Sequence, residues 1–392
     1  MKAGWKKEKL SQVCEKITDG THQTPTYFDN GFLFLSSRNV TSGEIDWENV
    51  KYIDAKQHEE MQRRVSPRLN DILLAKNGTT GVAAIVDKDV TFNIYVSLAL
   101  LRPLDAVLPK FLLYFINSPI AKKQFNKRLK GVGVPNLHLE EIREVELSYP
   151  ESKAEQQRIV GILDEAFDGI ATAKANAKQN LQNARALFES HLQSVFTQPG
   201  EGWVETNLGN VCTFVGGSQP PKSVFAKNKS ADNIRLIQIR DYKSDKHIVF
   251  IPRALARRFC NADDVMIGRY GPPLFQILRG LEGAYNVALM KAVPDESILS
   301  RDFLFYFLKH SSILEYVIYH SNRAAGQIGV TKETLEPYPI ALPSLPDQQT
   351  VVGIITELET ETQRLESIYR QKLAALDELK KSLLHQAFTG QL

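Results

Sequence analysis

Apolar residues between positions 151 and 197 recur at steps of three and four: Ile159, Leu163, Ala166, Ile170, Ala173, Ala177, Leu181, Ala184, Phe188, Leu192 and Val195. That period lays them along one stripe, so it predicts a single long helix with a coiled-coil seam. A second run, Ile355, Leu358, Leu365, Tyr369, Leu373, Leu376, Leu379, Leu383 and Ala387, predicts another. The two align without a gap, Gln156-Gln157 on Gln348-Gln349, Gly161 on Gly353, Leu187 on Leu379, Ser190 on Ser382 and Phe196-Thr197 on Phe388-Thr389. An ungapped match of about 40 residues marks an internal duplication. Ser152 with Glu155, and Ser344 with Asp347, offer a hydroxyl and then a carboxylate to the orphan amides of a first turn. Pro346 suits a first turn, and Gly200 and Gly390 suit an exit. At about 1.5 Å per residue each helix spans roughly 60 Å, more than one globular core needs.

The segments ahead of the helices align as well, more loosely. Gly4-Trp5 with Leu10 and Cys14 matches Gly202-Trp203 with Leu208 and Cys212. Leu35-Ser36-Ser37-Arg38-Asn39 matches Ile237-Gln238-Ile239-Arg240-Asp241, and Asp71 to Gly78 matches Asp264 to Gly271. Short apolar runs rich in β-branched and aromatic residues, at Phe32–Leu35, Ile72–Leu74, Val82–Val86, Ile94–Leu101, Ile234–Ile239, Val265–Ile267 and Val287–Val293, predict strands between Gly, Asn and Asp turns. Pro109–Leu129 and Arg301–Tyr319 have helical spacing. The expected fold is therefore α+β: two pseudo-repeated globular domains with curved mixed sheets, separated by two long antiparallel coiled-coil helices. Its divisions are 1–150, a first domain; 151–198, a helix; 199–343, a second domain; and 344–392, a second helix.

Composition narrows the class. The basic start Met1-Lys2-Ala3-Gly4-Trp5-Lys6-Lys7 leads into no apolar stretch, and the longest apolar runs fall far short of a bilayer, so a cytoplasmic protein without membrane spans is expected. Three cysteines without a Cys-x-x-Cys pair argue against a disulfide framework or zinc site, and Cys14 and Cys212, repeat equivalents, read as small core residues. Lys and Arg exceed Asp and Glu by three in each of residues 1–150 and 199–343, whereas the helical stretches are slightly acidic. The basic excess favours an anionic partner at the domains and a different partner along the helices.

The domain-helix-domain-helix plan resembles the specificity subunit of type I restriction-modification systems. The likeness covers the whole chain. It is carried by the Trp…Leu openings, the strand-turns Asp71…Lys76-Asn77-Gly78 and Asp264…Arg269-Tyr270-Gly271, the loop Gly131-Val132-Gly133-Val134-Pro135-Asn136-Leu137, and the Glu155-Gln156-Gln157 and Asp347-Gln348-Gln349 helix starts. The resemblance implies two target recognition domains, each reading one half of a bipartite double-stranded DNA sequence, and helices that set the spacer and dock two methylation subunits. Restriction subunits would complete the assembly. S-adenosylmethionine would belong to the methylation subunits, and this chain would hold no cofactor or metal and no catalytic residue. The second domain departs from the pattern at Ala325-Gly326-Gln327-Ile328-Gly329-Val330.

Base reading needs side chains that reach base edges, with cations on phosphates for affinity. The candidates, all in turns after strands or close by, are Arg38, Asn39, Lys76, Asn77, Thr79, Thr80 and Asn136 in the first domain. In the second they are Gln238, Arg240, Arg269, Tyr270, Gln276, Arg279 and Gln327. The plainer reading is that such residues cap turns or form surface ion pairs. The run Lys122 to Lys130 is either a phosphate-contacting helix end or a solvated face, and Trp5 and Trp203 read as core anchors.

Three other functions compete. A nuclease reading rests on Asp46 and Asp54-Ala55-Lys56, a short pattern without a repeat equivalent. It is not joined by a methyltransferase reading: Pro272-Pro273 resembles part of the Asn-Pro-Pro-Tyr loop of adenine methyltransferases, but the asparagine and Gly-rich cofactor loops are absent, so the likeness is accidental. A standalone two-headed DNA-binding regulator or architectural protein shares every feature except the methylation partner, and a pure protein scaffold would show no sequence-selective, salt-dependent DNA binding.

Overall fold

The computed structural model describes residues 2–130, 135–321 and 329–392. They form two compact units, one of residues 1–178 with 371–392 and one of residues 179–370.

In the first unit the strands are β1 (Trp5–Lys9), β2 (Cys14–Asp19), β3 (Phe32–Leu35), β4 (Lys51–Ile53), β5 (Ile72–Ala75), β6 (Val82–Ile85), β7 (Phe92–Ile94), β8 (Leu98–Pro103) and β9 (Glu146–Pro150). An antiparallel sheet runs in the order β2-β8-β5-β6. A second sheet, β4-β3-β7, is mixed, with β3 and β7 parallel. The helices are α1 (Leu10–Val13), α2 (Ala55–Arg64), α3 (Pro109–Ile116), α4 (Pro119–Arg128), α5 (Leu139–Arg143) and residues 153–178 of the long α6 (Lys153–Thr197).

The run Ile72-Leu73-Leu74-Ala75 shows why this strand is apolar throughout instead of alternating. Successive side chains point to opposite faces, and both faces of β5 are covered. Ile72 and Leu74 join a core shared with α3, α4 and the long helices, while Leu73 and Ala75 join a core shared with β7 and the turn after β3. Full burial on both sides is what a continuous apolar strand reports.

The second unit repeats the plan. Its strands are β10 (Val204–Asn207), β11 (Cys212–Gly216), β12 (Asn233–Ile237), β13 (Phe250–Pro252), β14 (Phe259–Cys260), β15 (Val265–Gly268), β16 (Gln276–Leu278), β17 (Gly283–Tyr285), β18 (Leu289–Pro294) and β19 (Pro339–Leu342). The sheets run β11-β18-β15-β16 and β13-β12-β17-β14, with β12 and β17 parallel. Its helices are α7 (Leu208–Val211), α8 (Arg301–Lys309), α9 (Ser311–Ser321), α10 (Lys332–Leu335) and residues 345–370 of the long α11 (Leu345–Thr389).

Both long helices have 45 residues and cover the aligned stretches end to end. The expected caps form: Ser152 Oγ accepts from Glu155 N and Ser344 Oγ from Asp347 N, and Gly390 leaves α11 in the left-handed region. Within each unit the helix segments are antiparallel. In the first, Arg158 donates to the Leu392 carbonyl and Lys174 pairs with Asp377. In the second, Arg185 pairs with Glu366 at 2.5 Å, and Leu192 and Phe196 share a core with Ile355. Ile159, Leu163, Ile170, Ala177 and Leu192 of the expected seam are buried, but Leu379 lies outside it, about half exposed.

Three sequence expectations change. The strand expected over Ile94–Leu101 is two, β7 and β8, one in each sheet, because Tyr95 to Ser97 turns the chain between layers. The helix expected over Pro109–Leu129 breaks at Asn117-Ser118, since Pro119 cannot continue a helix and Ser118 caps a new one by accepting from Ala121 N. The helix over Arg301–Tyr319 breaks at His310, whose backbone is extended. Trp5, Cys14 and Cys212 are core residues, and Trp203 packs half-buried against the second core.

Candidate nucleic-acid interface

The turn after β3 exists because Asn39 builds it. Its Oδ1 accepts from Ser36 N at 3.0 Å and its Nδ2 donates to the carbonyls of Asp46 and Asn49. With Asn39 buried and fully bonded, Arg38 is the member of the pair that faces solvent. The second unit repeats the turn with Asp241 in place of Asn39, accepting from Gln238 N at 2.9 Å, and again leaves Arg240 exposed.

The strand-turn after β5 is built differently from its sequence reading. Lys76 is buried, and its ammonium lies 3.2 Å from Asp19, which Arg64 also holds at 2.6 Å. Burial alone would raise the Asp19 carboxyl, but Arg64 and Lys76 outweigh it and hold it below the usual carboxylate range. Beyond Lys76 the chain doubles back through Gly78 and Gly81, both left-handed. Asn77, half-buried, faces Asn136 across an antiparallel bridge, with Leu137 N donating to Lys76 O at 2.8 Å. Thr79 is exposed and Thr80 half-buried at the tip.

Arg269, the equivalent of Lys76, likewise spends its side chain internally, donating to the carbonyls of Val330 and Val287. Tyr270 lies beside it, 5.2 Å from ring centroid to guanidinium. A side chain at Gly329 would collide with the Tyr270 ring. The register places Gly329 opposite Tyr270 as Asn136 is opposite Asn77, because Val330 N bonds Arg269 O as Leu137 N bonds Lys76 O. Gln327 itself lies outside the described residues. Gln276 donates to Pro273 O, and Arg279 pairs with Asp302 at 2.5 Å while lying 4.1 Å over the Phe305 ring.

The candidates therefore divide. Asn39, Lys76, Arg269 and Arg279 are engaged in holding turns and helices in place. Arg38, Thr79 and Arg240 are free to reach outward, with Asn77, Thr80, Asn136, Gln238, Tyr270 and Gln276 partly accessible.

A hollow of 710 Å³ in the second unit brings Gln238 and Arg240 together with Gln219, Lys222, Phe225 and Asn286. In the first unit the loop after β2 borders a different hollow, of 220 Å³, which it forms with α2 through Thr21, Gln23, Gln57, Glu60 and Arg64, without Arg38. Thr21 and Gln23 of the loop after β2, and Gln219 and Lys222 of the loop after β11, were missed by sequence reasoning. One signal marks them: each loop opens on a glycine, Gly20 or Gly217, that crosses a backbone so closely that a Cβ would come within 1.9 Å of Ile94 O or 2.0 Å of Asn286 O. The carboxylates of the nuclease reading have local duties: Asp54 caps α2 by accepting from Gln57 N, and Asp46 accepts from Glu48 N and Asn49 N.

A family model described as the type I restriction modification DNA specificity domain matches residues 2–183 and again 200–374. The StySPI specificity subunit of Salmonella potsdam is 20% identical, over 99% of this chain and 89% of its own length. The EcoKI specificity subunit of Escherichia coli K12 is 22% identical over the same shares, 99% and 89%. Among solved structures, a chain from work on complex assembly and conformational transition of the type I R-M system superposes with a TM-score of 0.77 at 20% identity, covering 100% of this chain and 99% of that one. The HsdS subunit from Thermoanaerobacter tengcongensis superposes with a TM-score of 0.61 at 21% identity, covering 100% and 98%. At these identities the structural likeness concerns the fold.

Proposed function

Because the chain belongs to the family of type I restriction modification DNA specificity domains and carries two of them, we propose that it is the specificity subunit of a restriction-modification complex, each domain reading one half of a split duplex DNA target. The observation that carries this reading is the repeated turn: Asn39 and Asp241 fix the same backbone, and each presents an arginine outward at the same place. Arginine is the commonest reader of guanine in the major groove. Residues 1–150 and 199–343 are the two readers, and the helices at 151–198 and 344–392 set the spacing and dock two methylation subunits, with restriction subunits joining that assembly. Catalysis and S-adenosylmethionine belong to those partners, which act on bases taken out of the stack; this chain is a non-catalytic cytoplasmic component.

The test is methylation mapping by single-molecule sequencing after co-expression with a methylation subunit of the same system. The expected result is a split motif with a fixed spacer that appears only when both chains are present. Arg38→Ala should relax base choice in one half alone and Arg240→Ala in the other, each by about 1–3 kcal/mol of discrimination. An unsplit motif, or two variants that relax the same half, would overturn the reading. A partner that methylates no new site with this chain, yet is active with another specificity subunit, would favour a standalone DNA-binding protein.

A further inference from the structure

Helix α4 carries Lys122, Lys123, Asn126 and Lys127 on one side, and with Lys381 of α11 they line a cavity of 530 Å³ in the first unit. No carboxylate lines it among the described residues. Lys381 has a partner in Glu378 at 2.7 Å, and neighbouring Lys380 lies over the Phe167 ring at 4.7 Å. Lys122, Lys123 and Lys127 have no ion-pair partner among the described residues. The Lys122 ammonium is held below the ordinary lysine range, by withdrawal from water first and then by Lys381 and Lys380. Gathering like charges in a concave place costs stability.

The duplication supplies the control. Buried Ala121 and Phe125 of α4 correspond to buried Ile313 and Val317 of α9, so the two helices turn the same face to the cores of their units. The positions matching Lys122, Lys123, Asn126 and Lys127 are then Leu314, Glu315, Ile318 and Tyr319, and the match of Lys381 is Glu189. The same backbone thus carries an apolar and acidic face in one unit and a lysine-lined hollow in the other. The fold does not call for the lysines. Phe125 meanwhile packs beneath Gly81, so α4 buttresses the Asn77–Thr80 turn with its buried face while presenting ammonium groups on another.

We propose that this hollow is a phosphate site of the first unit, taking either backbone phosphates of DNA that flank the target or the phosphates of a free polyphosphate. Lysine suits it, being a compact point charge with three donors that meets phosphate oxygens without fixed geometry. The DNA arm rests on the function proposed above; the polyphosphate arm does not.

The experiment compares the full chain with the triple variant Lys122→Gln, Lys123→Gln, Lys127→Gln. Binding to a random-sequence duplex is measured by fluorescence anisotropy across about 50–200 mM salt, and binding of tripolyphosphate by calorimetry. Three lost phosphate contacts should lower the slope of log affinity against log salt by up to about 2.7, so that the variant loses roughly 40-fold less affinity over that range. A reduced slope without tripolyphosphate binding assigns the site to DNA. Tripolyphosphate binding lost in the variant, with the slope unchanged, assigns it to a free polyphosphate. An unchanged slope with no tripolyphosphate binding overturns the proposal, as would equal losses in a variant that neutralises Lys227, Lys229 and Lys243 of the second unit. A wild-type chain that binds no duplex indicts the DNA reading instead, leaving the polyphosphate arm to judge the site. Circular dichroism melts of the variant should be unchanged or raised, since repulsion is removed.

Discussion

Asn39 and Asp241 hold the same turn in two copies of one domain and differ in what the second atom of the side chain can do. Asn39 donates to two carbonyls; the corresponding Oδ1 of Asp241 is buried without a partner. Burial raises the Asp241 carboxyl above its ordinary range, with the Gln238 backbone bond opposing it. A carboxyl raised in the folded state favours folding fully below its unfolded pKa, and that contribution is lost as pH climbs through the folded value. Asp241→Asn should therefore stabilise the second unit by about 1 kcal/mol at neutral pH and by less near pH 4, read as a shift in melting temperature at both pH values. A variant that destabilises at neutral pH would refute this account. The same comparison explains which site residues were legible in the sequence. Positions that match across the repeat, such as Asp71 bound to Arg102 and Asp264 bound to Lys291, serve the fold. Lys76 and Arg269 looked like contacts because their turns repeat, but the carboxylate of Asp19 and the carbonyls of Val287 and Val330, which occupy them, lie far away in the chain.

At the scale of elements, the long helices were readable because their period runs for many turns, whereas the two-layer sheet was not, since a buried strand records only that both faces are covered. The reason for the Gln-Gln pair was also hidden. The first glutamine of each pair is fully buried: Gln156 bonds Leu108 N and the carbonyls of Ala106 and Pro150, and Gln348 bonds Ser300 N and the carbonyls of Ile298 and Pro343. Each stitches the first turn of a long helix to the loop that leads into α3 or α8. Gln348→Ala strands one amide and two carbonyls, and should cost about 3 kcal/mol. Hydrogen exchange at Ser300 should quicken accordingly, while that at Leu108 stays as it was. Equal exchange at Ser300 in variant and wild type would show that the stitch is dispensable.

For the whole molecule, packing joins segments that lie far apart in the chain. The first unit is completed by residues 371–392, whose Leu384, Ala387 and Phe388 are buried in the same core as Trp5, Phe111 and Ile159. Phe388 meets the rings of Phe111 and Phe115 edge-on at 5.1 and 5.4 Å. Deleting residues 371–392 should thus strip hydrogen-exchange protection from residues 1–178 and leave residues 179–370 largely protected. Loss confined to the second unit would contradict the packing.

That shared core also sets a timetable for synthesis. Domains ordinarily fold in the order in which they leave the ribosome, at about 5–20 residues per second. Here the first unit lacks Phe388 until about 210 residues have followed residue 178, so its apolar wall stays uncovered for roughly 10–40 s after residue 178 is joined. The unit begun first thus closes only after residues 179–370 have all been made.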